Sequence, residues 1–343
     1  MVSTRARLLV VALLAALPAS IASAQSPADF YKGRTVELYV GYSVGGAYDL
    51  YARTIARFLG RHIPGNPTVI VKNMEGGGSL RLANWLFRVA PKDGSVLATI
   101  GRGTGFDPIL GQQGAQFDGT KFTWLGSANN ETSVCVAWNA TSGISKFEDL
   151  LTKQMTVGGT SMSADTDQFP KVIDGVFGAK MKIVSGYPGG NDVVLAMERG
   201  EIQGRCGWSW SSIMSTHKAW IDEKKITVLV QLALRKHPDL PNVPLIMDLA
   251  KTDEQKQVLK LIFARQTMGR PYLAPPGIPA DRAAALRKAF MDTMADKDFL
   301  VEAEKEKLEI TPVDGADLQN LVAEVYATPA EIEKKAAALL NGQ

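Results

Sequence analysis

Apolar and polar positions alternate from residue 36, where Val36, Leu38 and Val40 are separated by Glu37 and Tyr39, a period that predicts a half-buried strand. Beyond a glycine-bearing turn the spacing changes: Ala52, Ile55, Ala56 and Leu59 recur at i, i+3, i+4 and i+7, one face of a helix. The unit then repeats. "TVIVKN" (68–73) runs through Gly76-Gly77-Gly78 into a helical run with Leu80, Ala83, Phe87 and Ala90, followed by the strand "SVLATI" (95–100). Strands alternating with helices predict an α/β fold with a largely parallel sheet.

The rhythm breaks near residues 122–138, where "FTWLGS" and "SVCVAW" follow one another without a helix-sized spacer, as expected where a chain crosses between lobes. It resumes with Ser145-x-x-Glu148, read as a capping box opening a short helix, then "MTVGG" (155–159), a helix near 165–177, "MKIVSG" (181–186), a helix opening near Asn191, and "EIQGRC" (201–206). After "ITVLVQLAL" (226–234) the Pro-rich "HPDLPNVP" interrupts regular structure, and the mainly helical remainder is expected to return over the first lobe. The expected organisation is two α/β lobes, each a mixed sheet flanked by helices: residues 25–128 and 235–343 as a discontinuous lobe I, and residues 129–234 as lobe II. A chain of 343 residues, 45% hydrophobic and 21% charged, is long enough for both.

Arg5 and Arg7 precede the apolar run "LLVVALLAALPASIA", which closes on Ala22-Ser23-Ala24, so residues 1–24 read as a signal peptide cleaved after Ala24. The alternative, an uncleaved anchor, is opposed by Pro18 and by a run shorter than the roughly 20 residues a spanning helix needs. Removing the segment takes two arginines and no acids from 38 basic and 35 acidic residues, leaving a net charge of +1 and no expectation of a nucleic-acid partner. With no second apolar segment of spanning length, the mature chain is expected outside the cytoplasm, in a bacterium the periplasm. There Cys135 and Cys206 could form a disulfide or serve as two small buried hydrophobes, and both readings stay open.

Enzyme signatures are incomplete. "GRGTGF" (101–106) ends in Phe106 and opens no convincing helix, unlike a dinucleotide fingerprint, and no Gly-Lys-Ser/Thr completes a phosphate loop. "GTSMS" (159–163) and "GWSWS" (207–211) begin like nucleophile elbows but lack the closing glycine, and only His62, His217 and His237 could act as bases. HExxH, CxxC and clustered histidines are absent, so neither metal nor cofactor is expected. Asp165 and Asp167 read either as a carboxylate pair for metal or acid-base work or as acids at a helix N-terminus.

What remains is a recurring geometry. Strands end in loops rich in glycine or hydroxyl residues that lead toward helix starts: Gly41–Asp49, Gly76–Ser79, Gly101–Asp107, Gly158–Thr166 and Gly186–Asp192. Ligands of open α/β sheets bind outside the strand C-termini, and free N–H groups at a helix start favour an anion. Facing loops on two lobes would make an anion clamp, with Gly78, Gly103 and Thr104 among its candidate contacts. Arg102 and Arg205, each at a predicted strand end, read either as forks for a ligand carboxylate or as structural ion pairs. Trp208 and Trp210 flank Ser209 and read either as pocket wall or as core.

Five segments in register, "FYKGRTVELYVGYSVGGAYDLYARTIARFL", "NPTVIVKNMEGGGSLRLANWLFRVAPKDGSVLAT", "GYPGGNDVVLAMERGEIQ", "HPDLPNVP" and "APPGIPADRAAALRKAF", resemble the substrate-binding proteins of tripartite tricarboxylate transporters, the Bug receptors. The likeness runs from about residue 30 to about residue 340. It implies a periplasmic binding protein of type II with a ligand cleft between two lobes, and carboxylate ligands (di- or tricarboxylates, amino acids or aromatic acids) delivered to a membrane permease. It assigns the first carboxylate to Tyr42, Ser43, Gly45, Gly46, Ala47 and Asp49, and the far end of the ligand to Thr160, Ser161, Asp165, Tyr187, Gly190 and Asp192; Asp49, just after the glycines, reads as the acid that caps the following helix in preference to a ligand contact. Val44 stands where the family has a proline, and Cys206-Gly207-Trp208 where it often has a Phe-Asp pair, so loop rigidity and the distal pocket are expected to differ.

The expectation is therefore a monomeric, non-enzymatic solute receptor. A ligand sensor for a signalling partner, and an exported hydrolase or isomerase using the same cleft, are the alternatives.

Overall fold

The computed structural model describes residues 25–341; the expected signal peptide lies outside the described residues. The chain opens with a short helix α1 (Pro27–Tyr31) and then β1 (Thr35–Val40), in which Val36, Leu38 and Val40 are fully buried, as their alternation predicts. Helix α2 (Ala47–His62) lays Tyr51, Ala52, Ile55 and Leu59 against the core. Strand β2 (Thr68–Asn73), helix α3 (Leu80–Arg88) and strand β3 (Val96–Thr99) complete the repeated unit, with β2 and β3 pairing parallel to β1 on either side.

Strand β4 (Thr123–Ser127) and strand β5 (Ser133–Trp138) belong to different sheets, so the chain crosses at residues 128–132. The second sheet is built from β5, β6 (Met155–Gly158), β7 (Met181–Val184), β8 (Gly204–Ser209) and β9 (Ile226–Leu232), with helices α4 (Asp165–Phe177), α5 (Gly190–Glu198), α6 (Trp210–Thr216) and α7 (Lys218–Asp222). Its order is β7-β6-β8-β5-β9. Helix α8 (Asp253–Phe263) then leads to β10 (Pro271–Ala274), α9 (Ala280–Met294), α10 (Lys297–Lys305), β11 (Val313–Asp314), α11 (Gly315–Tyr326) and α12 (Ala330–Asn341). Strands β10 and β11 enter the first sheet antiparallel, giving the order β11-β4-β10-β3-β1-β2. Both sheets are mixed because the strand that enters each one after a crossing, β5 in the second sheet and β10 in the first, runs against the βαβ strands, as does β11.

Three local differences from the sequence reading have physical causes. Ser145 does not form a capping box with Glu148: its backbone N–H and Oγ both donate to Asp149, over a single 3-10 turn. Strand β8 starts three residues later than "EIQGRC" suggests, which carries Trp208 into the sheet and leaves Ser209 at the start of α6. The last helices do not all cover the first sheet. Helix α12 packs on α4 and α8, Lys171 Nζ donates to the Leu340 carbonyl at 2.7 Å, and Phe263 at the end of α8 meets Phe169 of α4. Apolar burial is therefore continuous from the first sheet to α4.

Candidate functional site

The loop after β1 is shaped from within. Gly45 takes a φ of +84°, a conformation glycine adopts without Cβ strain, and its N–H donates to Asp49 Oδ2 at 3.0 Å. Arg53 Nε and Asn73 Nδ2 also donate to the Asp49 carboxylate, each at 2.9 Å, while the same Asn73 amide reaches the Tyr42 carbonyl. Burial raises the Asp49 pKa, but the hydrogen bonds from Arg53, Gly45 and Asn73 outweigh it and hold the group below its ordinary value. Asp49 thus braces the turn from behind and does not line the cavity. Val44 is 63% exposed and also outside the lining, so the loop is held by Asp49 and Gly45 where the resembling family has proline.

The cavity lies between the two sheets. Its first-sheet wall is Tyr42, Ser43, Gly45, Gly46 and Ala47 at the start of α2, with Arg102, Gly103 and Thr104 after β3. Its second-sheet wall is Thr160 and Asp165 at the start of α4, Gly190 at the start of α5, and Arg205 and Trp208 on β8. All were expected from the sequence. The remaining candidates fall outside the lining. Gly78 packs against Ser161, Ser163 and Ala164, where the lobes touch. Ser161 donates its N–H to Asp167, Tyr187 stands beside Gly158, and Asp192 accepts from Ser43 Oγ at 3.1 Å.

The lobes are drawn together by several such contacts. Ser163 Oγ donates to the Gly77 carbonyl at 2.6 Å, and Arg102 donates to Ser209 Oγ at 2.8 Å. Arg102 Nε also lies 2.6 Å from Asp165 Oδ2, and Arg265 lies 3.2 Å from the other oxygen. Asp165 thus neutralises the guanidinium groups of Arg102 and Arg265 from the cavity wall, while Asp167 accepts the Ser161 N–H instead.

Arg270 is the main contributor that the sequence reading missed. It sits just before β10, 3.4 Å from Glu131, and donates to Ser209 and Ser212 at 3.2 and 2.7 Å. Its guanidinium also lies 4.6 Å from the Tyr48 ring centre, and Tyr48 stacks on Tyr42. The available signal was an arginine in "GRPYLAPP", but periodicity cannot assign a crossing segment to a cavity. His217, beside Trp208, also lines the site; burial and the charge of Arg205 pull its imidazole down to about 4.

Arg205 differs from its neighbours. It donates to the Gly190 carbonyl at 3.1 Å and lies 4.8 Å from the Trp208 ring centre, yet among the described residues no carboxylate pairs with it. Its Nε is buried without an acceptor. Burial, with Arg102 and Arg270 nearby, pulls its pKa down to about 9, so it remains a cation at neutral pH. An anion in the cavity would relieve that cost.

Next to Arg205 on β8, Cys206 is disulfide-bonded to Cys135 of the neighbouring strand β5. Among the described residues no group of three or more His, Cys, Asp or Glu is placed to hold a metal ion, and no helix is long and apolar enough to cross a membrane.

No protein-family model matches the chain. Over 95 residues it is 37% identical to the UPF0065 protein in gbd 5'region of Cupriavidus necator, a stretch covering 28% of this chain and 28% of that protein. Its fold is shared with the periplasmic binding protein BugD at a TM-score of 0.72 and 18% identity, covering 89% of this chain and 98% of that one. MatC from Rhodopseudomonas palustris with bound malate gives 0.69 and 17%, covering 88% and 99%. A TctC solute binding protein from Polaromonas gives 0.60 and 16%, covering 91% and 100%. The architecture is thus that of two-lobed periplasmic solute-binding proteins. Within that class, BugD, MatC and TctC are among the structures it is similar to.

Proposed function

We propose that this chain is a Bug-type substrate-binding protein: exported to the periplasm, it closes as a monomer on a small carboxylate and delivers it to a tripartite tricarboxylate-type permease. The observation that carries the reading is Arg205, a cation turned to the interlobe cavity with no carboxylate of its own among the described residues. The loop 42–47 supplies the second element, since backbone N–H groups at the start of a long helix favour an anion. Gly103, Thr104, Thr160 and Gly190 let backbone and small hydroxyls approach the ligand, and Trp208 forms an apolar wall. Structural neighbours carry adipate and malate, both carboxylates, in support of this class.

The hydrolase reading loses support at Ser209, whose Oγ accepts from both Arg102 and Arg270, while His217 Nδ1 meets Thr216 Oγ1 at 2.6 Å. Among the described residues, Ser43 Oγ donates to Asp192, Ser163 Oγ to the Gly77 carbonyl, and Ser212 Oγ accepts from Arg270, so none of the lining serines is hydrogen-bonded to His217. The test is a thermal-shift screen of the mature protein with carboxylates, amino acids, neutral sugars and cations, because a ligand that binds only the folded state raises the melting temperature. Stabilisation by one or more carboxylates is expected. Stabilisation confined to sugars or cations, or turnover of the bound acid, would overturn the proposal.

A further inference from the structure

The charged side chains lining the cavity are Arg102, Arg205 and Arg270 against Asp165 alone, three guanidiniums to one carboxylate, an excess of two positive charges. The layer behind adds one charge of each sign, Arg265 on Asp165 and Glu131 on Arg270, together with Asp107, a buried carboxyl near Arg265 whose pKa burial pushes well above the ordinary carboxylate range, so that its protonated form leaves the excess unchanged. At the rim, Asp192 faces Ser43 within the first turn of α5, where it offsets the partial positive charge of that helix end.

The three lining guanidiniums are not equivalent. Arg102 is held by Asp165 and Ser209, and Arg270 by Glu131 and serine hydroxyls. Arg205 has the Gly190 carbonyl and a ring face, with Nε lacking an acceptor. Gly190 itself makes room for it, since a Cβ there would lie 2.5 Å from the Arg205 terminal nitrogen. For an ammonium group the cavity offers little, because both oxygens of Asp165 already face arginines.

Resting on the carboxylate-receptor reading above, we propose that Arg205 makes this cavity selective for doubly charged acids, binding a second anionic group and discriminating against monocarboxylates and zwitterionic amino acids. The start of α2 takes one acidic group, and the guanidinium against Trp208 takes the other. A diacid cancels the excess charge of the lining, whereas a monoacid leaves one buried cation unpaired and a zwitterion adds a cation where no free carboxylate waits.

The test is calorimetric titration of the mature protein with straight-chain diacids of four to six carbons, their monoamides, the monoacids of equal length, and aspartate and glutamate. Wild type, Arg205→Gln and Arg205→Lys are compared, with folding checked by circular dichroism. In the wild type the best diacid is expected to bind about tenfold or more tighter than its monoamide, the range for a charged hydrogen-bonded contact. Arg205→Gln should close that gap, and Arg205→Lys should keep part of it. Equal binding of diacid and monoamide by the wild type, tighter binding of an amino acid, or an undiminished gap in folded Arg205→Gln overturns the inference while leaving a carboxylate receptor intact. If no acid binds the wild type, the receptor reading falls and this inference with it. The acid-to-amide comparison in the wild type stands even if a variant fails to fold.

Discussion

Arg102 Nε lies 2.6 Å from Asp165 Oδ2, a buried ion pair that joins the loop after β3 to the first residue of α4 across the interlobe cavity. The pair closes the lobes on each other and removes one arginine and one acid from the set available to a ligand. Burial opposes the charge of Arg102, but Asp165 holds its pKa above the ordinary value. Because Arg265 shares the same carboxylate, removing it strands two buried cations.

Asp165→Asn is therefore expected to destabilise the protein by about 3–5 kcal/mol, the usual loss when one partner of a buried pair is deleted. Urea denaturation followed by fluorescence measures it. A midpoint within error of wild type would show that water reaches both guanidiniums.

Gly78 bears on closure. Its φ is +64°, and a Cβ there would stand 2.4 Å from Ser161 Oγ and 2.9 Å from Ala164 Cβ on the facing lobe. Gly78→Ala should disfavour the closed form and weaken ligand binding by about tenfold, since apparent affinity scales with the closed fraction. Small-angle scattering with and without saturating ligand should then show a smaller compaction than in wild type.

The disulfide between Cys135 and Cys206 closes a loop with a sequence separation of 71. Non-reducing mass spectrometry of the purified protein should find no free thiol. Reduction, or the double change Cys135→Ala with Cys206→Ala, should cost about 2–5 kcal/mol, mostly by freeing the unfolded chain.

His217 gives a signed pH dependence. Its pKa falls from 6.5 to about 4 in the folded protein through burial and the neighbouring charge of Arg205. Between those values the unfolded chain binds more protons than the folded one, so the stability is fully present above about pH 6.5 and is lost as pH falls through about 4. His217→Gln should flatten this part of the profile, read as the difference in urea midpoint between pH 7 and pH 4.5. An imidazole proton resonance that titrates near 6.5 would contradict the assignment.

The sequence by itself determined the local elements and the places where ligand loops could form. Val36, Leu38 and Val40 alternate because successive strand residues face opposite sides, and Ala52, Ile55 and Leu59 recur because a helix turns every 3.6 residues; both rules depend only on near neighbours in the chain. The glycine-rich turns before α2 and α5 were legible for the same reason. The disposition of charge was not. Arg102 and Arg205 looked alike as arginines at strand ends, yet one meets Asp165 and the other, among the described residues, meets no acid, and this depends on how close the two lobes bring residues far apart in sequence. Arg270 went unassigned because it lies in a crossing segment without periodicity; Asp49 was readable as the acid at the start of α2 and braces the turn there, while Gly78 meets the facing lobe because lobe contact uses the same residue types as ligand binding. Residue type is written in the chain, but whether a charge is answered by a partner is decided only when the lobes meet.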